Sequence, residues 1–184
     1  MLRALLLVLA LLPVAAPAQT PEAAAESPIL TVVPDRLFDE SKAGKAAQTR
    51  LDDATRALMV ENRRMEAELE AEERDLTAKR DTMPPADFRK LADAFDAKAE
   101  RTRTEQDAKS RRLVRQREED RQAFFKAALP VLAQLMQDEG ALAILDRGSV
   151  FVSFDLIDVT SQAIERLDTA LGDGADLFKE QPAP

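Results

Sequence analysis

The sequence contains no histidine, cysteine, tryptophan or tyrosine, and phenylalanine supplies all of its aromatic residues. Without cysteine there is no disulfide framework, no thiolate nucleophile, no lipid-accepting thiol and no thiolate metal site. Without histidine there is no imidazole base, no imidazole-ligated zinc and no Ser-His triad. Glycine is scarce, at five residues, and no G-x-x-x-x-G-K pattern occurs; the Gly44-Lys45 pair is not a phosphate-cradling loop. Catalysis would have to rest on Asp, Glu, Lys or Ser alone, and the acidic pairs fall on helical stretches where solvated charge is the default. No catalytic, cofactor-binding or metal-ligating residue is therefore assigned, and the protein is read as a non-enzyme. The net charge of −8 argues against nucleic acid as a partner.

What is present begins with a secretory signal over residues 1–18. Arg3 is the positive n-region, Ala4 to Leu12 is a short apolar run, and Pro13 breaks it. Ala16-Pro17-Ala18 fits the small-x-small rule, which places cleavage after Ala18. An uncleaved anchor would need roughly 20 apolar residues, and the prolines interrupt this run. Secretion without a lipid-accepting cysteine points to a free periplasmic protein. Residues 19–28, rich in Ala, Pro and Glu, read as a disordered lead-in, and residues 172–184 as a flexible tail.

Ile29 to Val33 is β-branched, ends at Pro34 and predicts a strand at a sheet edge. Ser41 offers an N-cap, and helix formers run from there to Thr82 without proline, about 63 Å of helix. Met83-Pro84-Pro85 interrupts it, and a second helical run starts near Ala86, with Pro130 predicting a kink or local break. Leu51, Leu58 and Met65 repeat by sevens; Leu69, Leu76 and Met83 continue as an offset series. That is an a/d seam. Phe88, Leu91, Phe95, Leu113 and Phe124 answer it on the return arm, so that residues 41–128 form a helical hairpin with its tip at 83–85. Opposed residue numbers sum to 171, as in Leu76 with Phe95 and Leu58 with Leu113, because one helix counts up while the other counts down. By the same sum Gly44 lies opposite Ala127.

The seam weakens in its middle, where Thr55, Asn62 and Glu72 interrupt one arm and Thr102, Gln106 and Lys109 the other. Such layers bury little apolar area. They set register, soften the arm, or both. Charge divides unevenly as well. Residues 40–126 carry net +1, whereas the rest of the chain after Ala18 carries net −10. Arg111, Arg112, Arg115 and Arg117 make the return arm the most basic stretch.

Residues 29–40 and 129–171 are left to form a small β-containing body. Gly140 suits the position after a helix C-cap. Ala141 to Arg147 and Val150 to Phe154 are apolar runs about Gly148-Ser149, which predicts a β-hairpin covered on both faces by helix or by another subunit. Thr160 is the expected N-cap of a last helix, Ser161 to Leu171, with Val159 and Ile164 at the staple positions. So few strands cannot anchor two long arms, and oligomerisation through the body follows. The fold class is α+β, mainly α: a long antiparallel helical hairpin on a small β-strand body.

The order of these pieces resembles the Skp/OmpH family of periplasmic chaperones. The matching pieces are the signal sequence, the strand Ile29 to Val33, Ser41-Lys42-Ala43-Gly44-Lys45-Ala46-Ala47 opening the long helix, the hairpin, the Ala141 to Phe154 stretch, and Asp158-Val159-Thr160 before the last helix. Pro34 and the proline-marked tip depart from the family pattern. The resemblance implies a homotrimer whose strands pool into a β-barrel, with three hairpins hanging from it as tentacles around a cavity. It implies ATP-independent holdase activity towards unfolded outer-membrane β-barrel proteins. Contact with the membrane surface or lipopolysaccharide stays open. Met65, Met83, Phe88 and Phe95, with Arg111, Arg112 and Arg115, are the candidate client contacts, although helical spacing makes the hairpin core the better reading for the four apolar ones. The competing function is a periplasmic coiled-coil adaptor that binds one folded partner of an envelope complex.

Overall fold

A computed structural model describes residues 29–178. The signal segment, the lead-in and the last six residues lie outside it. Strand β1 (Ile29–Val32) leads into a seven-residue helix, α1 (Pro34–Glu40). The long helices α2 (Lys42–Lys79) and α3 (Pro85–Asp138) follow, then β2 (Ala143–Asp146) and α4 (Thr160–Leu171). No described helix is long and apolar enough to cross a membrane.

Helix α1 has no signature in the sequence, where Pro34 straight after the strand looks like a terminator. Proline at the first helical position lacks only an N–H that would be unpaired there anyway, and Pro34 occupies that place. Ser41 then serves two helices at once. Its hydroxyl donates to the Phe38 carbonyl at the end of α1 (3.2 Å) and accepts from the Gly44 N–H at the start of α2 (3.2 Å). The turn is so tight that a Cβ on Gly44 would lie 1.7 Å from the Phe38 carbonyl oxygen. Gly44 is thus required by close packing, but against α1 rather than Ala127. From α4, the Asp168 carboxylate accepts from the Lys42 N–H (2.7 Å) and adds a tertiary cap.

At the far end α2 stops at Lys79, slightly short of the expected Thr82, and Pro85 opens α3 at its first helical position. α3 runs unbroken through Pro130. Lys126, whose carbonyl loses its partner there, and Pro130 itself are exposed, so water can satisfy the freed group. α3 ends in a Schellman motif: Gly140 takes φ +64°, Ala141 N–H donates to Met136 O (2.9 Å) and Gly140 N–H to Gln137 O (3.1 Å).

The body differs from the expected β-hairpin. β2 pairs with β1 in parallel, Ile29 opposite Ala143 through Val32 opposite Asp146. A two-residue hairpin turn needs a positive φ, and Gly148 is not among the glycines that adopt one. Instead the Asp146 carboxylate accepts from the Gly148 N–H (2.8 Å) in a short 3-10 turn. Arg147 reaches on to Asp155 and Asp158. Residues 150–154 form no strand. β1 is an edge strand of this two-stranded sheet, as expected, but its other side is partly covered by the chain before α4. On its other side Val159 N–H donates to Thr31 O (2.9 Å) and Val33 N–H to the Thr160 hydroxyl (2.9 Å).

The core sits at the root of the hairpin. Phe124, Ala128 and Leu135 of α3 pack with Leu37 and Phe38 of α1, Ala43 and Ala47 of α2, and Ala163 and Leu167 of α4. Phe38 meets Phe124 edge-on, with ring centroids 5.2 Å apart. The chain does not fray at Gly172. Phe178 packs against this core, and Arg50 stacks over its ring at 4.6 Å. Gly44→Ala should cost about 1–3 kcal/mol or more, because the obstacle is backbone and cannot swing aside. Urea unfolding followed by circular dichroism should show the lowered midpoint; an unchanged midpoint would mean the α1–α2 turn opens freely.

Candidate interaction surface

The two arms leave the core in antiparallel contact. Leu51, Leu58, Met65, Leu69, Leu76, Met83, Phe88, Phe95 and Leu113 are all only half-buried. Two helices cover one stripe of each other and nothing more, so each seam side chain keeps a flank in water. Met65, Met83, Phe88 and Phe95 therefore occupy the seam, as helical spacing allowed. Arg111, Arg112 and Arg115 are exposed on α3. The structure does not gather these seven residues into one pocket; they are spread along most of the arm. Leu91 turns outward and is exposed.

The middle of the hairpin is held by charge. Lys109 Nζ lies 2.5 Å from Glu61 Oε1, and the Gln106 side-chain N–H donates to the same oxygen at 3.4 Å. Lys98 pairs with Glu72 about three turns nearer the tip. Both cross-arm ion pairs have residue numbers summing to 170, within one residue of the register read from the sequence. Lys109 faces Glu61 rather than its neighbour Asn62. Gln106 Oε1 is buried without a partner, which leaves this layer incompletely satisfied and lowers its contribution. The hydrogen bond from Lys109, then that from Gln106, holds the Glu61 carboxyl below the ordinary carboxylate range, against the opposing effect of burial.

At the entrance to α4, Asp158 accepts from the Thr160 N–H (2.9 Å) and hydroxyl (2.5 Å) and pairs with Arg147. Burial works to raise its carboxyl pKa; the Thr160 bonds and Arg147 outweigh that and hold it low. The helix starts at Thr160 with Val159 at the N-cap position, so Thr160 is not the cap; Asp158, one residue before the cap, accepts from the first helical N–H. Its role is structural. Among the described residues no cluster of carboxylates is arranged to hold a metal ion.

The body also presents two apolar features that face away from the core. Phe151 is 103% exposed, and Val152, Phe154 and Leu156 are each at least 80% exposed. Nearby is a groove of about 510 Å³ lined by Leu37, Phe125, Leu129, Leu132, Met136 and Leu145 among others. It borders β2, whose outer edge has no strand partner among the described residues. The apolar character of 150–154 was legible in the sequence, as was the need for a cover. That this cover is missing within one chain was not.

Comparison with known proteins follows the same outline. The model of the family described as Outer membrane protein (OmpH-like) matches residues 28–167. No curated protein matches the chain. A crystal structure of an OmpH-like protein from Caulobacter crescentus CB15 is similar, with a TM-score of 0.74 at 19% identity. The similarity covers 84% of this chain and 91% of that one. At that identity the likeness establishes the fold.

Because the folded-state pKa of Glu61 is depressed, its contribution is present at neutral pH and is lost as pH falls below about 4. Glu61→Gln should lower the melting temperature at pH 7 by a few degrees at most and narrow the difference between pH 7 and pH 3.5. Melting curves followed by circular dichroism test this; equal pH differences in the two proteins would remove Glu61 from the balance.

Proposed function

The chain belongs to the OmpH-like family, and on that premise we propose that it is an ATP-independent holdase of the periplasm. It takes up unfolded outer-membrane β-barrel proteins between long helical arms and keeps them from aggregating. The observation that carries this reading is the mismatch between arms and body. α2 and α3 extend about 57 and 81 Å at 1.5 Å per residue. The body that holds them has a two-stranded sheet and leaves Phe151, Val152, Phe154 and Leu156 in water beside an apolar groove. Apolar surface of this kind marks a protein interface. Assembly of three copies through the body, with their strands pooled into a barrel, would cover it and set three arms around a shared space.

Containment needs no tight site. An unfolded barrel protein exposes strands of alternating apolar residues that associate edge to edge. Arms that surround such a chain keep its strands from those of other molecules, and many weak contacts add up through multivalency. The hairpin is slightly basic and its exposed arginines attract acidic clients, so added salt weakens capture. Only the unfolded form is held, and folding into the outer membrane draws it away. A single folded partner, as an envelope adaptor would have, asks for none of this breadth.

Diluting an urea-unfolded outer-membrane β-barrel protein into buffer, with and without this protein, should show suppressed light scattering at equimolar trimer. Undiminished scattering would reject the holdase reading. Sedimentation should find three chains per particle. Replacing Phe151 and Phe154 together by Asp should release monomers that keep their helical content; a double variant that still assembles would remove this segment from the interface.

A further inference from the structure

The long arms are polar almost throughout, with one interruption. Between residues 42 and 120 the exposed large apolar side chains are Met59, Val60, Leu91 and Val114. Three of the four stand at one level of the hairpin. Leu58 and Leu113 are both half-buried, and the register set by the neighbouring Glu61–Lys109 pair brings them to the same level of the seam. The next residue in each helix turns 100° further round its axis. Because the two helices run in opposite directions, those turns bring Met59 and Val114 to the same side. They are 55% and 67% exposed. Val60 turns to the back of α2.

The setting of this pair is cationic. Residues three or four positions away are neighbours on a helix surface. Around Met59 these include Arg56 and Arg63; around Val114 they include Arg111 and Arg117, with Glu118 the one acidic neighbour. Arg56 is paired with Asp53. No carboxylate pairs with Arg63, Arg111 or Arg117 among the described residues, so their charge is left open to a ligand, whereas Arg64 and Arg103 elsewhere on the arms are taken up by (i, i+4) and (i, i+3) pairs. The layer immediately towards the tip is the Glu61–Gln106–Lys109 cluster, so the apolar pair does not continue the seam; it is a separate island.

We propose that Met59 and Val114, with Arg63, Arg111 and Arg117 around them, form a docking patch for an extended chain segment that carries carboxylates beside apolar side chains. The inference rests on the holdase reading and assigns it a place on the arm that differs from the seam residues. An extended strand alternates its side chains at about 6.6–6.8 Å per pair, so one apolar side chain can settle on the Met59–Val114 island while acidic neighbours reach the arginines. The seam methionines and phenylalanines have only one free flank, whereas this pair offers its whole outer surface without any cost to hairpin packing.

The test uses the full chain and an urea-unfolded acidic outer-membrane β-barrel protein carrying a fluorophore, with affinity read by anisotropy. Met59→Ser with Val114→Ser should weaken capture about tenfold, while Val60→Ser, on the back of the same helix, leaves it unchanged. Arg63→Gln with Arg111→Gln should reduce the salt dependence of capture. Circular dichroism and sedimentation on each variant establish that the arms and the assembly persist, as expected for exposed positions. If the natural chain captures the client and the Met59/Val114 variant captures it equally well, the patch is overturned and the holdase reading stands. If the natural chain captures nothing, both fall together.

Discussion

A pair of helices can hide only the stripe each turns towards the other, and in this chain that stripe is narrow. The seam residues from Leu51 to Phe95 stay half in water, and polar layers at Glu61 and Glu72 replace apolar ones midway. Stability of the arms therefore has to come from one end. Phe124, Leu135 and Leu167, with Leu37 beside them, are almost wholly buried at the root of the hairpin, where the four helices converge. Both arms are continuous with this core, so rigidity falls with distance from it.

The connection at the root is accordingly tight. Ser41 closes α1 and opens α2 with a single hydroxyl, Gly44 admits the Phe38 carbonyl, and Asp168 reaches in from α4. Phe178 is clamped by Arg50 on the core's flank. Further out, the contacts between the arms become ion pairs with exposed partners, each worth little in water. The gradient suits a device that is fixed where it is held and yielding where it meets a client of variable size.

Local features of the sequence were the ones that could be read. Heptad spacing gave the hairpin and its register to within one residue, Ser41 and Gly140 marked helix ends, and the Pro84-Pro85 pair located the tip. Long-range and compensating features were not legible. Pro34 looks like a strand terminator until it is seen at the first position of a seven-residue helix, too short for periodicity to register. Gly148-Ser149 carries a hairpin signal that loses to pairing between β1 and β2, more than a hundred residues apart. Met65, Phe88 and Phe95 could be assigned to the seam from spacing; Met59 and Val114 show only as apolar residues beside it until the fold reveals that nothing covers them. The apolar run 150–154 signals a need for cover, by helix or by another subunit, and only the fold shows that the described residues of one chain do not supply it.

The parallel pairing of β1 with β2 also fixes the order in which the molecule can be made. Residues 41–128 are, for the body, a single insertion, and the body closes only when residues on both sides of it are present. A chain emerging from its N-terminus has no partner for β1 until the whole hairpin has followed. Closing so long a loop would be slow for a featureless chain. The hairpin shortens the search, since its helices form from near neighbours and return the chain to where it started. Matched lengthening of both arms would leave that return point in place, so reach can change over generations while the body that anchors it stays the same.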